Sequence, residues 1–192
     1  MTTTLACRCG LVRAEVDLQH AYARATCYCT DCRAFARFLG TPDGALDANG
    51  GTEILAILPA AVRFTSGTER IACMSLSPRG LLRWYADCCR SPIGNTPRDR
   101  KTAYVGLVTA VLPSLDASLA PSKIALNTDA ALGPVKPTPL ATVGGVLRIM
   151  RHVIAARIRK TYRTNPFFTS DSGLPVVAPH VLSQAQRAEF DD

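Results

Sequence analysis

The sequence predicts a mainly β fold with a helical extension at its C-terminal end. Short segments that alternate apolar and polar residues run through the first 112 residues, and turn-forming residues separate them. A longer stretch near the C-terminus has helical spacing instead. At 192 residues, of which 47% are hydrophobic, the chain can bury a sizeable core. We therefore predict a β domain over residues 1–112 and an extension over residues 113–192.

The elements of the β domain can be predicted in chain order. The predicted strands are residues 5–18, 54–58, 61–64, 70–76, 81–85 and 103–112. The first begins with a tight turn at Gly10, and Pro59 separates the second from the third. Residues 70–76 and 81–85 form a hairpin. Residues 31–39 have helical spacing and end at Gly40, which predicts the one helix of this region.

The extension changes in character along its length. Residues 113–145 are rich in Pro, Ala, Gly, Ser and Thr, which predicts irregular structure on the surface. Residues 145–164 are predicted to form an amphipathic helix that packs on the β domain. Its predicted packing stripe is Leu147, Met150, Ile154, Ile158 and Tyr162. A short polar helix is predicted near residues 182–190.

The net charge of +7 is concentrated in that predicted helix. Its cationic residues are Arg148, Arg151, Arg157, Arg159, Lys160 and Arg163. Such a helix could bind nucleic acid or an anionic membrane. The sequence favours a helix that packs on the domain with its arginines in water, because no aromatic residues are interleaved for base stacking.

Cysteines form the most informative pattern. They are a C-x-C pair, Cys7 and Cys9; a C-x-C-x-x-C run, Cys27, Cys29 and Cys32; an adjacent pair, Cys88 and Cys89; and the isolated Cys73. Thiolates are soft ligands that suit zinc, and close pairs let one loop supply two of them. A disulfide framework is the less favoured alternative, since C-x-C sulfurs pair poorly with each other. The N-terminus lacks the apolar run of a signal peptide, and no apolar run reaches the roughly 18 residues of a spanning helix. We expect a cytoplasmic protein.

The arrangement C-x-C-G, then C-x-C-x-x-C-R, then a cysteine knuckle ending in S-P resembles the glutathione-dependent formaldehyde-activating enzyme and centromere protein V family. The resemblance covers about residues 5–112. It implies a zinc-ribbon-like complex β-sandwich that holds two zinc ions. A structural ion would be bound by Cys7 and Cys9 with Cys88 and Cys89. A catalytic ion would be bound by Cys27, Cys29 and Cys32, with one position left for water or a substrate thiolate.

Two departures from the family pattern affect the ligands. The late knuckle of the family reads C-x-x-C-G-S-P, whereas this chain has Ala86 where the first cysteine should be. Cys88 is the obvious replacement, and Asp87 is a weaker candidate. Tyr28 replaces the histidine that many family members have within C-H-C, and a tyrosine cannot act as an imidazole base.

Each candidate residue also has a plainer interpretation. The zinc held by Cys27, Cys29 and Cys32 could be structural, completed by another residue such as His20, or the thiols could be redox-active. Arg33 follows the last ligand and could bind the carboxylates of a small anionic thiol, or it could lie on a solvated face of the helix. Cys73 is predicted to fill the core.

Two functional hypotheses follow from the resemblance. In the first, the protein is a zinc-dependent carbon–sulfur lyase or transferase that acts on the adduct of a small thiol, such as glutathione, with an aldehyde. In the second, it is a non-enzymatic zinc module with two structural sites and a partner-binding basic helix.

Overall fold

Two β-sheets form the body of the molecule in the computed structural model, which describes residues 1–40, 45–115 and 123–190. These residues contain eleven strands: β1 (Thr2–Ala6), β2 (Arg13–Asp17), β3 (Ala21–Cys27), β4 (Thr52–Ile57), β5 (Val62–Ser66), β6 (Ile71–Ser75), β7 (Leu82–Ala86), β8 (Ser91–Thr96), β9 (Val105–Val108), β10 (Lys123–Leu126) and β11 (His180–Val181). The helices are α1 (Thr30–Leu39), α2 (Pro139–Ile158) and α3 (Gln184–Ala188). The mainly β prediction is confirmed.

The two sheets differ in size and in how they are closed. The small sheet has the order β1-β2-β5, and all its pairs are antiparallel. The large sheet has the order β10-β3-β4-β9-β8-β7-β6-β11. Its two outermost strands, β10 and β11, pair in parallel with β3 and β6. The extension therefore supplies both edges of the large sheet.

The main core lies between the sheets. Apolar residues of the small sheet, such as Leu5 and Val16, pack with Leu55 and Trp84 of the large sheet. The indole Nε1 of Trp84 donates to Thr96 Oγ1 at 3.0 Å, which satisfies the one polar atom of this buried ring. The Phe167 ring of the extension lies 5.1 Å from the Trp84 ring, centroid to centroid. The extension thus completes the central core as well as the sheet edges.

Local sequence features explain several elements. Pro59 begins a single 3-10 turn, Pro59–Ala61, that separates β4 from β5. Gly40 adopts a φ of 67° and ends α1, a conformation that favours glycine. The predicted hairpin is present as the antiparallel pair β6 and β7.

The segment predicted to be irregular, residues 113–145, contains a strand. Residues 123–126 form β10, whereas residues 116–122 lie outside the described residues. A four-residue edge strand that pairs with a strand about 100 positions away has no local sequence signal. The division of the chain at residue 112 stays a prediction, because these contacts describe packing and not independent folding.

The second helix differs from its prediction in its bounds and in the face that packs. It begins at Pro139 and ends at Ile158, six residues earlier at each end than predicted. The predicted packing stripe is wrong: Leu147, Met150, Ile154 and Ile158 are each more than half exposed. The helix packs instead through the face that carries Gly145, where a Cβ would overlap Cδ1 of Ile124 in β10. Close approach to the sheet selects this small-residue face over the bulkier one.

Candidate metal centres

The first cysteine group joins two turns that are far apart in the chain. Cys7 and Cys9 lie in the turn between β1 and β2, and Cys88 and Cys89 lie in the turn between β7 and β8. The four sulfurs all lie within 4.8 Å of one another. Cys9 Sγ is 3.3 Å from Cys88 Sγ, and Cys7 Sγ is 4.0 Å from it. Sulfurs at the corners of a tetrahedron with metal–sulfur bonds of about 2.3 Å would be about 3.8 Å apart, so the donor set fits a four-coordinate ion.

Hydrogen bonds within and between the two turns hold this group in place. The Val12 amide donates to Cys7 Sγ at 3.3 Å. The Arg8 amide donates to Ser91 Oγ at 2.9 Å, and that hydroxyl lies 3.1 Å from Cys89 Sγ. Burial acts to raise the pKa of Cys89, but hydrogen bonds from Ser91 and from the C-x-C turn lower it to about 6. These hydrogen bonds favour the thiolate form of Cys89, which is the form that binds a metal. Burial and the neighbouring thiols instead raise the pKa of Cys88 to about 12.

The atypical late knuckle supplies its two ligands from adjacent residues. Cys88 belongs to the group, whereas Ala86 is a buried core residue of β7. Asp87 forms an ion pair with Arg70, with 2.9 Å between Oδ1 and Nε. Arg90, directly after the pair, has a φ of 58°, which bends the chain between Cys89 and β8. The Cys88 alternative thus has the geometry of a ligand, and Asp87 is engaged elsewhere.

The second group forms within residues 27–32. Cys27 ends β3, Cys29 caps the N-terminus of α1, and Cys32 lies in its first turn. Cys29 Sγ lies 3.4 Å from the sulfurs of both Cys27 and Cys32. Within the described residues this group has three members, and His20 instead pairs with Asp17 at 3.7 Å. Cys27 and Cys29 are half-buried, so molecules from solution can reach the group.

A residue that sequence reasoning missed approaches the three-cysteine group from the extension. Asn127 directly follows β10, whose last residue, Leu126, is in register with Cys27. Asn127 has a φ of 54°, and its Nδ2 donates to Cys27 Sγ at 3.2 Å. Asparagine tolerates this left-handed conformation better than most residues, but only the tertiary pairing of β10 with β3 reveals the contact.

The three thiols do not have equal acidity. Side-chain hydrogen bonding with Cys29 and Cys32, together with the bond donated by Asn127, holds the pKa of Cys27 well below its usual range. Side-chain hydrogen bonding with Cys27 and Cys29, together with burial, raises the pKa of Cys32. Hydrogen bonding with Cys27 also raises the pKa of Cys29. Cys27 is therefore the first sulfur of the group to become a thiolate.

Arg33 and Tyr28, both singled out in the sequence, form hydrogen bonds beside the three-cysteine group. The Arg33 side chain is buried, and its Nη1 donates to the carbonyls of Tyr28 at 2.9 Å and Ala130 at 2.7 Å. The Tyr28 hydroxyl donates to Asp47 Oδ2 at 3.1 Å. Substrate binding by Arg33 stays a prediction. These contacts tie the three-cysteine group to residues 47 and 130.

The remaining cysteine lies outside both groups. Cys73 is buried in the main core, as predicted, and burial raises its pKa to about 12. All eight cysteines lie within the described ranges, and each is a free thiol there.

Comparison with known protein families identifies the family of this chain. The sequence pattern of a family of unknown function (DUF6151) matches residues 1–161. The chain belongs to this family. The matched region includes both cysteine groups, Asn127 and all of α2. The description of this family does not mention formaldehyde-activating enzymes. The resemblance of the cysteine pattern to those enzymes is therefore not confirmed.

No curated protein matches the chain. Among solved structures, a Rhodobacter sphaeroides protein is similar, with 19% sequence identity and a TM-score of 0.42. The match covers 60% of this chain and 92% of that one.

Proposed function

We propose that this member of the family binds two zinc ions and uses them differently. The four-cysteine group would hold a structural ion, and Cys27, Cys29 and Cys32 would hold an ion with an exchangeable fourth position. The observation that carries the proposal is the difference in ligand number: four sulfurs in one group and three in the other, among the described residues.

The choice of zinc follows from the donors. Each group offers only sulfur, which disfavours calcium and magnesium, since those ions take oxygen ligands. Zinc with four thiolates is the usual closed structural site, whereas three protein ligands leave room for a substrate or water. The short sulfur–sulfur separations support metal binding by both groups.

For the three-cysteine group we propose chemistry of the formaldehyde-activating type, which the cysteine pattern resembles. The bound ion would accept the sulfur of a small thiol such as glutathione and lower its pKa. In the proposed reaction, the sulfur adds to the carbonyl carbon of an aldehyde and the thiol proton passes to the carbonyl oxygen. The reverse reaction breaks the same carbon–sulfur bond and releases the aldehyde and the thiol.

The chain's own residues would position this chemistry. Asn127 donates to Cys27 Sγ and would keep that ligand oriented and ionised. Tyr28 occupies the place of the family histidine, but its hydroxyl donates to Asp47, so it supports the turn and carries no proton for the reaction. The half-buried Cys27 and Cys29 mark the side from which a small thiol would enter.

Metal counting and thiol response test this proposal together. Purified protein should contain two zinc ions per chain, and a mild chelator should remove one of them. In cobalt-substituted protein, glutathione should change the visible absorption of the exchangeable site. Proton NMR exchange spectroscopy should then show that the glutathione–formaldehyde adduct forms faster with the protein than in buffer alone. The enzyme proposal fails if the second ion neither exchanges nor responds to glutathione.

A second candidate is a non-enzymatic zinc module. Two observations favour it: Arg33 Nη1 donates to two carbonyls, and Tyr28 offers no imidazole. In this case both ions would resist the chelator equally. The single variant Cys29→Ser, compared with Cys73→Ala as a control that also removes one thiol, separates the candidates. A catalytic site predicts loss of the thiol response only in Cys29→Ser.

A further inference from the structure

The second helix has two apolar faces, and the sheet uses only one of them. The face that packs on β3 and β10 contains Ala141, Gly145 and Ile149. On the same face His152 stacks on Tyr22, with 4.5 Å between ring centroids. These contacts fix the orientation of the helix, because they hold it along the length of one face.

The opposite face carries a continuous apolar stripe. Ile154 follows Gly145 by nine positions, which at about 3.6 residues per turn places it on the far side of the helix. The stripe, named here the outer stripe, consists of Leu140, Val143, Leu147, Met150, Ile154 and Ile158. These six side chains are 53% to 89% exposed. A contiguous exposed row of this kind marks an interaction surface.

Charges of one sign surround the outer stripe. Helical spacing places Arg151 on one side of it and Arg157 on the other, and both are exposed. Arg159 and Lys160 follow at the end of the helix and are also exposed. Residues 130–170 contain seven cationic residues and no acidic residue. Their net charge of +7 equals the net charge of the whole chain. The partner of this surface must therefore be apolar along the stripe and anionic on both sides.

We propose that the outer stripe binds the surface of an anionic lipid bilayer. An amphipathic helix lies in the interface with its apolar side chains among the acyl chains, while flanking cations contact the lipid phosphates. An anionic bilayer thus offers contacts both to the apolar side chains of the stripe and to the cations beside it. A second copy of the chain would bring arginines against arginines, and nucleic acid would leave the six apolar side chains without a role. No helix of the described residues is long and apolar enough to cross a bilayer, so the helix would lie along the surface.

Vesicle flotation of the full chain tests the proposal. Vesicles that contain phosphatidylglycerol should retain the protein, and vesicles of phosphatidylcholine alone should retain at least about tenfold less. Added salt should weaken retention, since it screens the flanking cations. The substitution Ile154→Asp places a charge in the stripe and should reduce retention at least about tenfold. Arg151→Gln together with Arg157→Gln should reduce it by a smaller factor.

The matched control is Leu174→Asp, which puts the same charge on another exposed apolar side chain outside α2. It should bind vesicles like the unmodified protein. Circular dichroism and zinc content should be unchanged in every variant, because the substituted side chains point into solvent. The proposal is overturned if anionic vesicles do not retain the protein, or if Ile154→Asp is retained equally well. Light scattering that shows a dimer, dissociated by Ile154→Asp, would also overturn it, since a second copy would then cover the stripe.

Discussion

The four-cysteine and three-cysteine groups use the same ligand atom but different parts of the chain. In the first, Cys7 meets Cys88 across 81 positions, and both border the main core. In the second, the sulfurs of Cys27, Cys29 and Cys32 gather within one strand end and one helix turn. A link between distant segments restrains a long loop, whereas a local link restrains almost nothing. We therefore expect the first group to govern folding, and we expect the chain to stay folded when the second group is empty.

The strongest test removes one ligand of the first group. Cys9→Ser should lower the free energy of unfolding by on the order of 4 kcal/mol or more, because loss of a structural metal is among the largest single-residue effects. Urea unfolding with zinc quantified by mass spectrometry would measure it. An equal loss of stability in Cys29→Ser would mean that both groups are structural and that the comparison is wrong.

The matching substitution in the second group should affect the metal and leave the fold. Cys29→Ser should remove one of two zinc ions while the free energy of unfolding changes by about 1 kcal/mol or less. Native mass spectrometry would report the ion count, and urea unfolding the stability. Cys73→Ala is the control, since it also removes one thiol but should retain both ions. Retention of both ions by Cys29→Ser would contradict the proposed ligand set.

Arg33 tests how firmly the second group is tied to its surroundings. Arg33→Lys keeps the charge but loses the paired donation to the Tyr28 and Ala130 carbonyls, which should cost about 1–3 kcal/mol of stability. Exposed Arg79→Lys, measured by the same urea unfolding, should be neutral. If Arg33→Lys instead left stability unchanged and weakened glutathione binding, its predicted role in substrate binding would be supported.

The smallest expected effect lies at Asn127. Asn127→Gly keeps the left-handed backbone and removes the amide that donates to Cys27. Loss of this bond should cost about 1 kcal/mol and so release zinc about fivefold faster to a chelator. Lys160→Gly is the control, because Lys160 has a φ of 59° but lies outside both groups. Equal release rates in the two variants would show that the Asn127 amide does not act on the site.

Elements with local causes could be predicted from the sequence. The end of α1 at Gly40 and the break at Pro59 each depend on one residue type, and the hairpin β6–β7 depends on a short turn. The cysteine spacing likewise indicated which thiols would act together. Pairing of the C-x-C turn with the late knuckle came from the family resemblance and not from the spacing alone.

Long-range elements could not be predicted in the same way. β10 and β11 have four and two residues, too few for a periodic pattern, and each pairs with a distant strand. Asn127 depends on that pairing, so its contact with Cys27 was missed. The predicted orientation of α2 was wrong, because helical spacing identifies the apolar faces of a helix but does not show which face fits the sheet. Gly145 decided the orientation, since its missing side chain admits Ile124.

The parallel strands at the two ends of the large sheet have a consequence for aggregation. Without them the sheet would end at β3 and β6, whose unpaired backbone groups could pair with strands of other chains. β3 has seven residues, whereas the strand that covers it has four and the strand that covers β6 has two. Short edge strands offer a poor template for such pairing. A chain cut before residue 123 would keep every cysteine, yet it should associate edge to edge in concentrated solution.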